Sequence, residues 1–353
     1  MKKILSIGLI IILIVALKSC NKDPEIGTIY NPHPYELEIP PHFPPMEIPE
    51  NNPLTVEGVA LGRRLFYDPI ISDDGSVNCN SCHIQEYSFS HPSNHISDVK
   101  GDPIKRNAMP LINLGWRENF AWDLRSGSLL GKIKNSISNP FAINGKPIEV
   151  ETKLAQDSTY GRMFFEAFGP DAVTFENTAK ALEQFLRTLI SGNSKFDQYL
   201  QTNPPDLTIF TPEEQGGFDI FTTELGDCFH CHGGFLRSDL IAHNNGLDRT
   251  FTDKGLGKIT GSTSDDGKFL ATTLRNIEYT TPYMHDGRFN TLEEVAIFYS
   301  FELEHSSTID PLMKKANQGG IQLTALQRQQ LIAFLKTFSD EEFINNPDHK
   351  SPF

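Results

Sequence analysis

Basic residues and cysteines are both scarce in this chain of 353 residues, and β-branched residues rarely alternate with polar ones. Lysine and arginine together number 31 against 45 aspartates and glutamates, so the formal net charge is -14 at pH 7. This deficit of positive charge argues against nucleic acid and anionic membrane surfaces as partners, and it suits a docking partner with a basic face. The lack of alternation indicates that any strands are short and that the fold is mainly helical.

Cysteine occurs only five times. In an exported protein, five cysteines would ordinarily indicate disulfides with one thiol left over. Here Cys20 follows an apolar leader, and the other four form two Cys-x-x-Cys-His motifs at 79–83 and 228–232. If the leader and the two motifs use all five cysteines, none remains for a structural disulfide.

The N-terminal apolar run, Ile4–Leu17, is too short to cross a bilayer comfortably. Two lysines precede it and a small residue before a cysteine ends it, which is typical of a signal peptide; an uncleaved anchor is the alternative. Residues 17–20 resemble a bacterial lipobox, in which Cys20 becomes the lipidated first residue. The sequence therefore predicts an exported protein, held in the periplasm, at the outer membrane or at the cell surface by a lipid anchor only.

Beyond the leader, a proline-rich segment precedes a pattern that occurs twice. Residues 21–53 show no helical period and are interpreted as an extended tether on the surface, or as disorder. Each later half then has a stretch of helical apolar spacing, a Cys-x-x-Cys-His motif and a closing helix. A small c-type cytochrome is built in this way, so we predict two tandem cytochrome c-like haem domains, 54–203 and 204–345. The helical stretches are 54–67, 175–190, 212–221 and 323–338.

The Cys-x-x-Cys-His motif is typical of covalent haem attachment. Its two thiols add to the two vinyl groups of one haem, and the adjacent histidine is placed beneath the iron as an axial ligand. A four-cysteine zinc site is the alternative, but the pairs lie well over a hundred residues apart, whereas paired zinc knuckles are roughly 15 to 20 residues apart. The motifs predict two c-type haems, bound by Cys79, Cys82 and His83 and by Cys228, Cys231 and His232.

Two haems make electron transfer the minimal function. A haem whose axial positions are both filled by protein passes electrons, whereas one with an open position can bind and split peroxide or oxygen. The motifs alone leave open a redox enzyme and a non-catalytic electron-transfer or haem-sensing protein.

Further short motifs make a family resemblance specific. In chain order, and with the two haem motifs between them, they are LGRRLFYD at 61–68, RN at 106–107, FAWDLR at 120–125, SKFD at 194–197, LRN at 274–276 and PYMHDGR at 282–288. From about residue 53 to about residue 339 the chain resembles the bacterial di-haem cytochrome c peroxidase and MauG family.

The resemblance implies a different role for each haem. The first, on His83, would react with hydrogen peroxide, and the second, on His232, would receive electrons from a small redox protein or a quinol-linked cytochrome. In the family a tryptophan relays electrons between the haems, and the matching residue is Trp122. A core aromatic without such a role is the alternative.

A calcium ion between the two domains is also implied by the resemblance. The family binds it with an asparagine side chain and two backbone carbonyls, and the matching residues are Asn107, Thr280 and Pro282. Oxygen ligands of this kind suit a hard cation.

The distal ligand of the second haem separates the branches of the family. Peroxidases use a methionine, and MauG-type enzymes a tyrosine, fourteen residues after the histidine of the Pro-Tyr-x-His motif. Counting from His285 gives Tyr299. A phenolate ligand would lower the potential of that iron, because it stabilises the ferric state. A tyrosine facing the core is the alternative, with Met284 and Met313 as the remaining candidate ligands.

The distal side of the first haem departs from the family pattern. Peroxidases of this family place a glutamate there, in an Asn-Pro-x-Glu-Met motif, and a glutamine on the same face. Alignment of residues 139–140 puts Ala142 at the glutamate, and counting from Asp123 puts Lys132 at the glutamine. Since alanine transfers no proton, the sequence predicts weak or altered peroxidase activity. The side chain of Lys132 is expected either in the pocket or in solvent.

Two smaller departures accompany these. The stretch Asp123–Arg125 reads DLR where the family usually has a glycine. His91 and His95 lie in the loop that carries a haem-capping histidine in some peroxidases, but neither aligns with it, and both are interpreted as surface residues.

Overall fold

The computed structural model describes residues 30–93, 97 and 100–353. The predicted signal peptide with Cys20, the first residues of the proline-rich segment and His95 lie outside these ranges. Within them, no helix is long and apolar enough to cross a membrane.

Helices provide most of the regular structure of the described chain. Before residue 190 they are α1 Val56–Tyr67, α2 Leu129–Ser138, α3 Pro147–Gln156, α4 Ser158–Phe168 and α5 Phe175–Thr188. After it they are α6 Lys195–Gln201, α7 Pro212–Thr222, α8 Leu256–Thr260, α9 Leu292–Phe301, α10 Ala325–Lys336 and α11 Glu341–Asn345. The sheet of the described residues is one antiparallel pair, β1 Ala242–His243 with β2 Phe269–Leu270. The mainly helical class is confirmed.

The predicted helices begin where the sequence has a good N-cap. Thr211 caps α7, with Pro212 in the first turn and a reciprocal bond to Glu214. Thr324 caps α10 in the same way through Gln327. In both helices the hydroxyl accepts a hydrogen bond from a backbone N–H that the helix itself leaves free. The helices predicted at 212–221 and 323–338 are therefore confirmed within two residues at each end.

The buried side chains form two main clusters that follow the two halves of the chain. The first lies between α1 and the helices α2 to α5, and the second between α6, α7 and α10. In each half, the helix before the Cys-x-x-Cys-His motif packs against the closing helix at a glycine. A Cβ at Gly62 would overlap the carbonyl oxygen of Ala181, and one at Gly217 would overlap that of Gln330. The glycines therefore permit the close approach of α1 to α5 and of α7 to α10.

Residues 30–53, the described part of the proline-rich segment, contain no helix, and some of their side chains are buried. Phe43 is 6% exposed and Met46 is 8% exposed. The Phe43 ring packs edge-on against Trp116 of the first half and Phe235 of the second, and Trp116 Nε1 donates to the carbonyl of Pro44 at 3.0 Å. Apolar side chains among the prolines thus place this segment between the two halves.

A buried ion pair joins two of the family motifs. Both terminal nitrogens of Arg275 donate to the carboxylate of Asp197 at 2.8 Å, and the pair is almost fully buried. His42 Nε2 lies 2.7 Å from the same carboxylate. Although burial acts to raise it, the pKa of Asp197 is lowered to about 2, because Arg275 and Ser194 bond to the ionised form.

The end of the chain returns to the first half. Phe343 of α11 is buried in the first cluster, and Tyr67 Oη donates to the carbonyl of His349 at 2.7 Å. The apolar spacing on which the second predicted domain rests ends near residue 338. This spacing therefore does not indicate that Phe343, the next buried apolar side chain, belongs to the core of the first half.

Candidate haem sites and the cavity between them

The first Cys-x-x-Cys-His motif begins with a tight turn at Cys79–Ser81, separated from the end of α1 by residues 68–78. The Asn78 side chain caps the turn by accepting from Ser81 N at 2.9 Å, and it donates to the carbonyl of Tyr67 at the end of α1. His83 Nδ1 lies 2.8 Å from the carbonyl oxygen of Phe89. A ring that donates through Nδ1 presents an unprotonated Nε2, which is the form that binds a metal. Burial lowers the pKa of His83 to about 4, so the ring is neutral at pH 7.

The second motif has the same arrangement with a longer bond. His232 Nδ1 lies 3.3 Å from the carbonyl oxygen of Arg237. Burial also lowers the pKa of His232. Cys228, Cys231 and His232 line a cavity of about 240 Å³.

The two cysteine pairs do not converge. Among the described residues, the groups of three or more side chains that could share a metal are Cys231, Asp239 and His243, and Glu224, Asp227 and His230. Burial raises the pKa of Cys79 to about 12 and that of Cys228 to about 12. A four-cysteine zinc site, which needs thiolates within one coordination sphere, is inconsistent with this geometry.

All three candidate distal ligands of the second haem line this cavity: Tyr299 of α9, Met284 and Met313. Asn245 Nδ2 donates to Tyr299 Oη at 3.0 Å and lies 3.7 Å from the Met284 sulfur. Burial raises the pKa of Tyr299 to about 12, and the bond from Asn245 acts in the opposite direction. A donor on the phenolic oxygen favours its ionised form, which is the form that a ferric iron binds.

Trp122 and the predicted calcium ligands line the same cavity. Trp122 Nε1 donates to the backbone carbonyl of Asn107 at 2.9 Å. The amide nitrogen of Asn107 is placed against the carbonyl oxygen of Pro282, while Asn107 Oδ1 is buried without a partner. A rotation of the Asn107 amide by 180° exchanges its nitrogen and oxygen at nearly the same positions. In that orientation Oδ1 lies beside the Pro282 carbonyl oxygen. Two oxygens in that position, with Thr280 beside them in the cavity wall, fit a hard cation.

The turn that carries Trp122 has two left-handed residues, Ala121 at φ 73° and Leu124 at φ 54°. A left-handed leucine such as Leu124 is destabilised by about 1 kcal/mol or more, whereas glycine adopts this conformation readily. The usual glycine of the family in this stretch is consistent with such a turn. Asp123 in the turn is fully buried and pairs with Arg125 and, at 2.7 Å, with Arg106. These ion pairs hold the turn in place without the glycine.

The distal residues of the first site lie on α2 and the loop after it. Lys132 is partly buried, and burial, together with the charge of Arg125, lowers its pKa. Its charge is also among the causes that lower the pKa of His83. The neighbouring Lys134 instead pairs with Glu176 on the surface.

Ala142, which the alignment puts at the position of the family glutamate, is half-buried. The two acids that follow it in the chain are engaged elsewhere: Glu149 pairs with Lys146 at 2.9 Å, and Glu151 accepts from the backbone N–H of Phe175 at 2.7 Å. His91, in the loop that carries a haem-capping histidine in some peroxidases, accepts through Nδ1 from Ser93 N at 3.1 Å.

Comparison with known proteins identifies the family. A family model described as di-haem cytochrome c peroxidase matches residues 56–204. The methylamine utilization protein MauG of Methylorubrum extorquens is 32% identical over 296 residues, which cover 83% of this chain and 81% of that protein. The chain belongs to the di-haem cytochrome c peroxidase and MauG family. Membership implies two c-type haems and a peroxidase-type oxidoreductase.

Two further relatives agree with this membership. The cytochrome c551 peroxidase of Nitrosomonas europaea is 29% identical over 309 residues, covering 85% of this chain and 84% of that protein. The crystal structure of a MauG-like protein associated with microbial copper homeostasis superposes with a TM-score of 0.83. It shares 32% identity and covers 90% of this chain and 99% of its own.

Two features of the sites have no signal in the sequence pattern. Asn245, which bonds Tyr299, lies in the loop after β1 between Asn244 and Gly246. The carbonyl of Phe89, which bonds His83, is a backbone group whose position depends on the fold of the whole turn. Neither belongs to a helical period or to a ligand spacing.

Proposed function

We propose that this protein is an exported di-haem c-type oxidoreductase that consumes hydrogen peroxide. It takes electrons from an external donor protein, or it oxidises a substrate in the manner of MauG. The observation that carries the proposal is that each Cys-x-x-Cys-His motif presents a partly buried histidine whose Nδ1 lies on a backbone carbonyl and whose pKa is lowered by burial. Such a ring is oriented for iron through Nε2.

The two halves divide the work in this proposal. The domain 54–203 holds the peroxide-reacting haem on His83, and the domain 204–345 holds the electron-entry haem on His232. The support is the repeated arrangement of two helices that cross at a glycine, with the motif after the first of them. Bound haem supplies an iron that reacts with peroxide at the first site and exchanges electrons at the second.

At the first site, Lys132 and Ala142 determine what the protein adds to the haem. The Lys132 ammonium provides a positive charge for an anionic or polarised oxygen. Ala142 can neither accept nor donate a proton, and Glu149 and Glu151 are engaged outside the pocket. We therefore expect peroxide turnover well below the family's usual level. The same substitution favours a second candidate function, a non-catalytic electron-transfer or haem-sensing protein.

At the second site, Tyr299 is the proposed distal ligand, as in MauG-type enzymes. Its support is the bond from Asn245, which stabilises a phenolate. Trp122 is the proposed electron relay, and Asn107, Thr280 and Pro282 are the proposed calcium site, supported by the unpartnered oxygen of Asn107. Calcium bound there would fix the carbonyl on which the Trp122 indole rests.

The partners follow from charge and from the leader. A net charge of -14 suits a small donor protein or quinol-linked cytochrome with a basic face. We propose lipidation of Cys20 as the membrane attachment, with the protein in the periplasm, at the outer membrane or at the cell surface.

The mature wild-type protein is expected to hold two covalent haems, measured by the pyridine haemochrome assay. Cys82→Ala and Cys231→Ala should each lose one haem, because a haem with one thioether bond is less firmly attached. Cys20→Ala is the matched control and should retain both. One haem in the wild type would contradict the proposal.

Replacing Tyr299 with phenylalanine should raise the potential of the His232 haem and alter its low-spin signal, because the phenolate that stabilises ferric iron is lost. Redox titration and electron paramagnetic resonance measure both. Tyr283→Phe is the control, since Tyr283 lines the same cavity but donates to the Ile277 carbonyl. If Tyr299→Phe leaves both quantities unchanged while Met284→Leu or Met313→Leu alters them, a methionine is the ligand.

A further inference from the structure

The turn that holds the proximal histidine of the first haem is strained. We call residues 84–90 the proximal turn; its ends are joined by a bond from Ile84 N to the Ser90 carbonyl at 2.8 Å. Ser88 and Phe89, neither of them glycine, are consecutive left-handed residues at φ 57° and 56°. A conformation of this kind persists only when its surroundings impose it. The carbonyl that orients His83 belongs to the second of these residues.

The surroundings that impose it come from the other end of the chain. We call residues 341–353 the C-terminal strap. Its Phe343 ring lies 5.9 Å from the fully buried Phe89 ring, and His349 lies 6.3 Å from it. Gln85 Nε2, in the proximal turn, donates to the carbonyl of Asn346 at 2.8 Å.

The strap is fixed to the helix that leads into the haem motif. Arg63 of α1 donates to the carbonyls of Pro347, at 2.8 Å, and Lys350, at 2.6 Å. On the neighbouring position, the Arg64 guanidinium lies 4.4 Å from the centre of the Phe353 ring. The strap therefore clamps α1 and the proximal turn together on the first core.

A second contact reaches the turn from the other half. Asn276, in the LRN motif, donates from Nδ2 to Ser88 Oγ at 3.0 Å and accepts through Oδ1 from Asp340 N at 2.7 Å. Asp340 caps α11, at the start of the strap. The second half thus holds the proximal turn directly and through the strap.

The hydrogen bonds from Nδ1 of the two proximal histidines differ in length, as expected if the C-terminal strap supports only the first. The supported bond, from His83 to Phe89, is 2.8 Å long, whereas the bond from His232 to Arg237 is 3.3 Å long. A shorter bond from the Nδ1 proton makes the ring a stronger donor to iron, which stabilises the more oxidised metal.

We propose that the C-terminal strap is a positioning element for the first haem: through Phe343 and Asn346 it holds the Phe89 carbonyl on His83 and so lowers the potential of that haem. The inference rests on the proposed ligation of the first haem by His83. Residues of the C-terminal strap, which follow the second half in the chain, would thus tune the haem of the first half.

The test is spectroelectrochemistry of the holoprotein, with the second haem as internal reference. Phe343→Ala should shift the potential of the His83 haem upwards and lower its iron–histidine stretching frequency in resonance Raman, with the His232 haem unchanged. Phe343→Leu, which refills the space, should restore both. Phe164→Ala, a cavity in the same core whose ring packs on Phe168, should reduce stability and move neither.

Gln85→Met provides a second variant if Phe343→Ala does not fold, because it removes only the bond to Asn346. An upward shift of the His83 haem in either variant supports the positioning role. Lower thermal stability with both potentials unchanged in the variants that fold would overturn it. That failure is distinguishable from failure of the proposed function, which is decided by peroxide reaction of the wild type.

Discussion

Ala142→Glu is expected to increase the rate of reaction with hydrogen peroxide by at least about tenfold. A positioned acid or base contributes about 10²- to 10⁴-fold to such a step, and residue 142 supplies none. The lower limit allows for a carboxylate whose geometry is not optimised, since the backbone there is set by the turn from Asn139 to Ala142. Stopped-flow mixing at a series of peroxide concentrations gives the second-order rate constant.

Ala142→Gln is the matched control for this variant. It has nearly the volume of glutamate and no proton to transfer in the same range of pH, so the rate should stay near that of the wild type. A fast wild-type reaction that Ala142→Glu does not alter would contradict the prediction. In that case another acid enters the pocket, and Glu149→Gln and Glu151→Gln would identify it.

Lys132 gives the reaction with peroxide an expected dependence on pH. Burial, together with the charge of Arg125, lowers the pKa of the Lys132 amine. The amine loses its charge as pH rises through that lowered value. If its charge holds an anionic oxygen, wild-type reactivity should therefore fall at alkaline pH, and Lys132→Met should remove that dependence.

Four helices, α1, α5, α7 and α10, and both motifs could be predicted from the sequence because they rest on local rules. Apolar periods of 3.6 and threonine caps specify α7 and α10, and a covalent spacing specifies each Cys-x-x-Cys-His turn. Tyr299 is a candidate because of the family resemblance, which gives the spacing of fourteen residues from His285, and not because of a local rule.

The remaining features depend on contacts between distant parts of the chain. Phe43 and Phe343 lie in segments without helical period, so nothing local shows that each fills a gap beside a core. The helical period of α2 does not specify the direction of Lys132, because its long stem is compatible with pocket and solvent alike. Leu124 is left-handed at φ 54°, a conformation that its residue type does not indicate.

The difference between the two haem sites leads to the second prediction with a large effect. The second site contains Tyr299, Met284 and Met313 as candidate protein ligands on one cavity wall. At the first site the proposed distal residues are Lys132, whose pKa is lowered chiefly by burial, and Ala142, which has no ligand atom. One iron should therefore be capped by protein and the other open to small molecules. Half of the haem in the di-ferric protein should respond to peroxide, and the other half should not.

The most direct measurement is rapid mixing of the di-ferric holoprotein with hydrogen peroxide, followed at the Soret band, with and without one equivalent of cyanide bound beforehand. The account predicts a peroxide-dependent change that involves one of the two haems, is slow in the wild type and is blocked by cyanide. If both haems stay low-spin and six-coordinate and neither spectrum changes with peroxide or cyanide, the first haem is closed. The enzyme proposal would then be wrong, and the electron-transfer or sensing function would stand in its place.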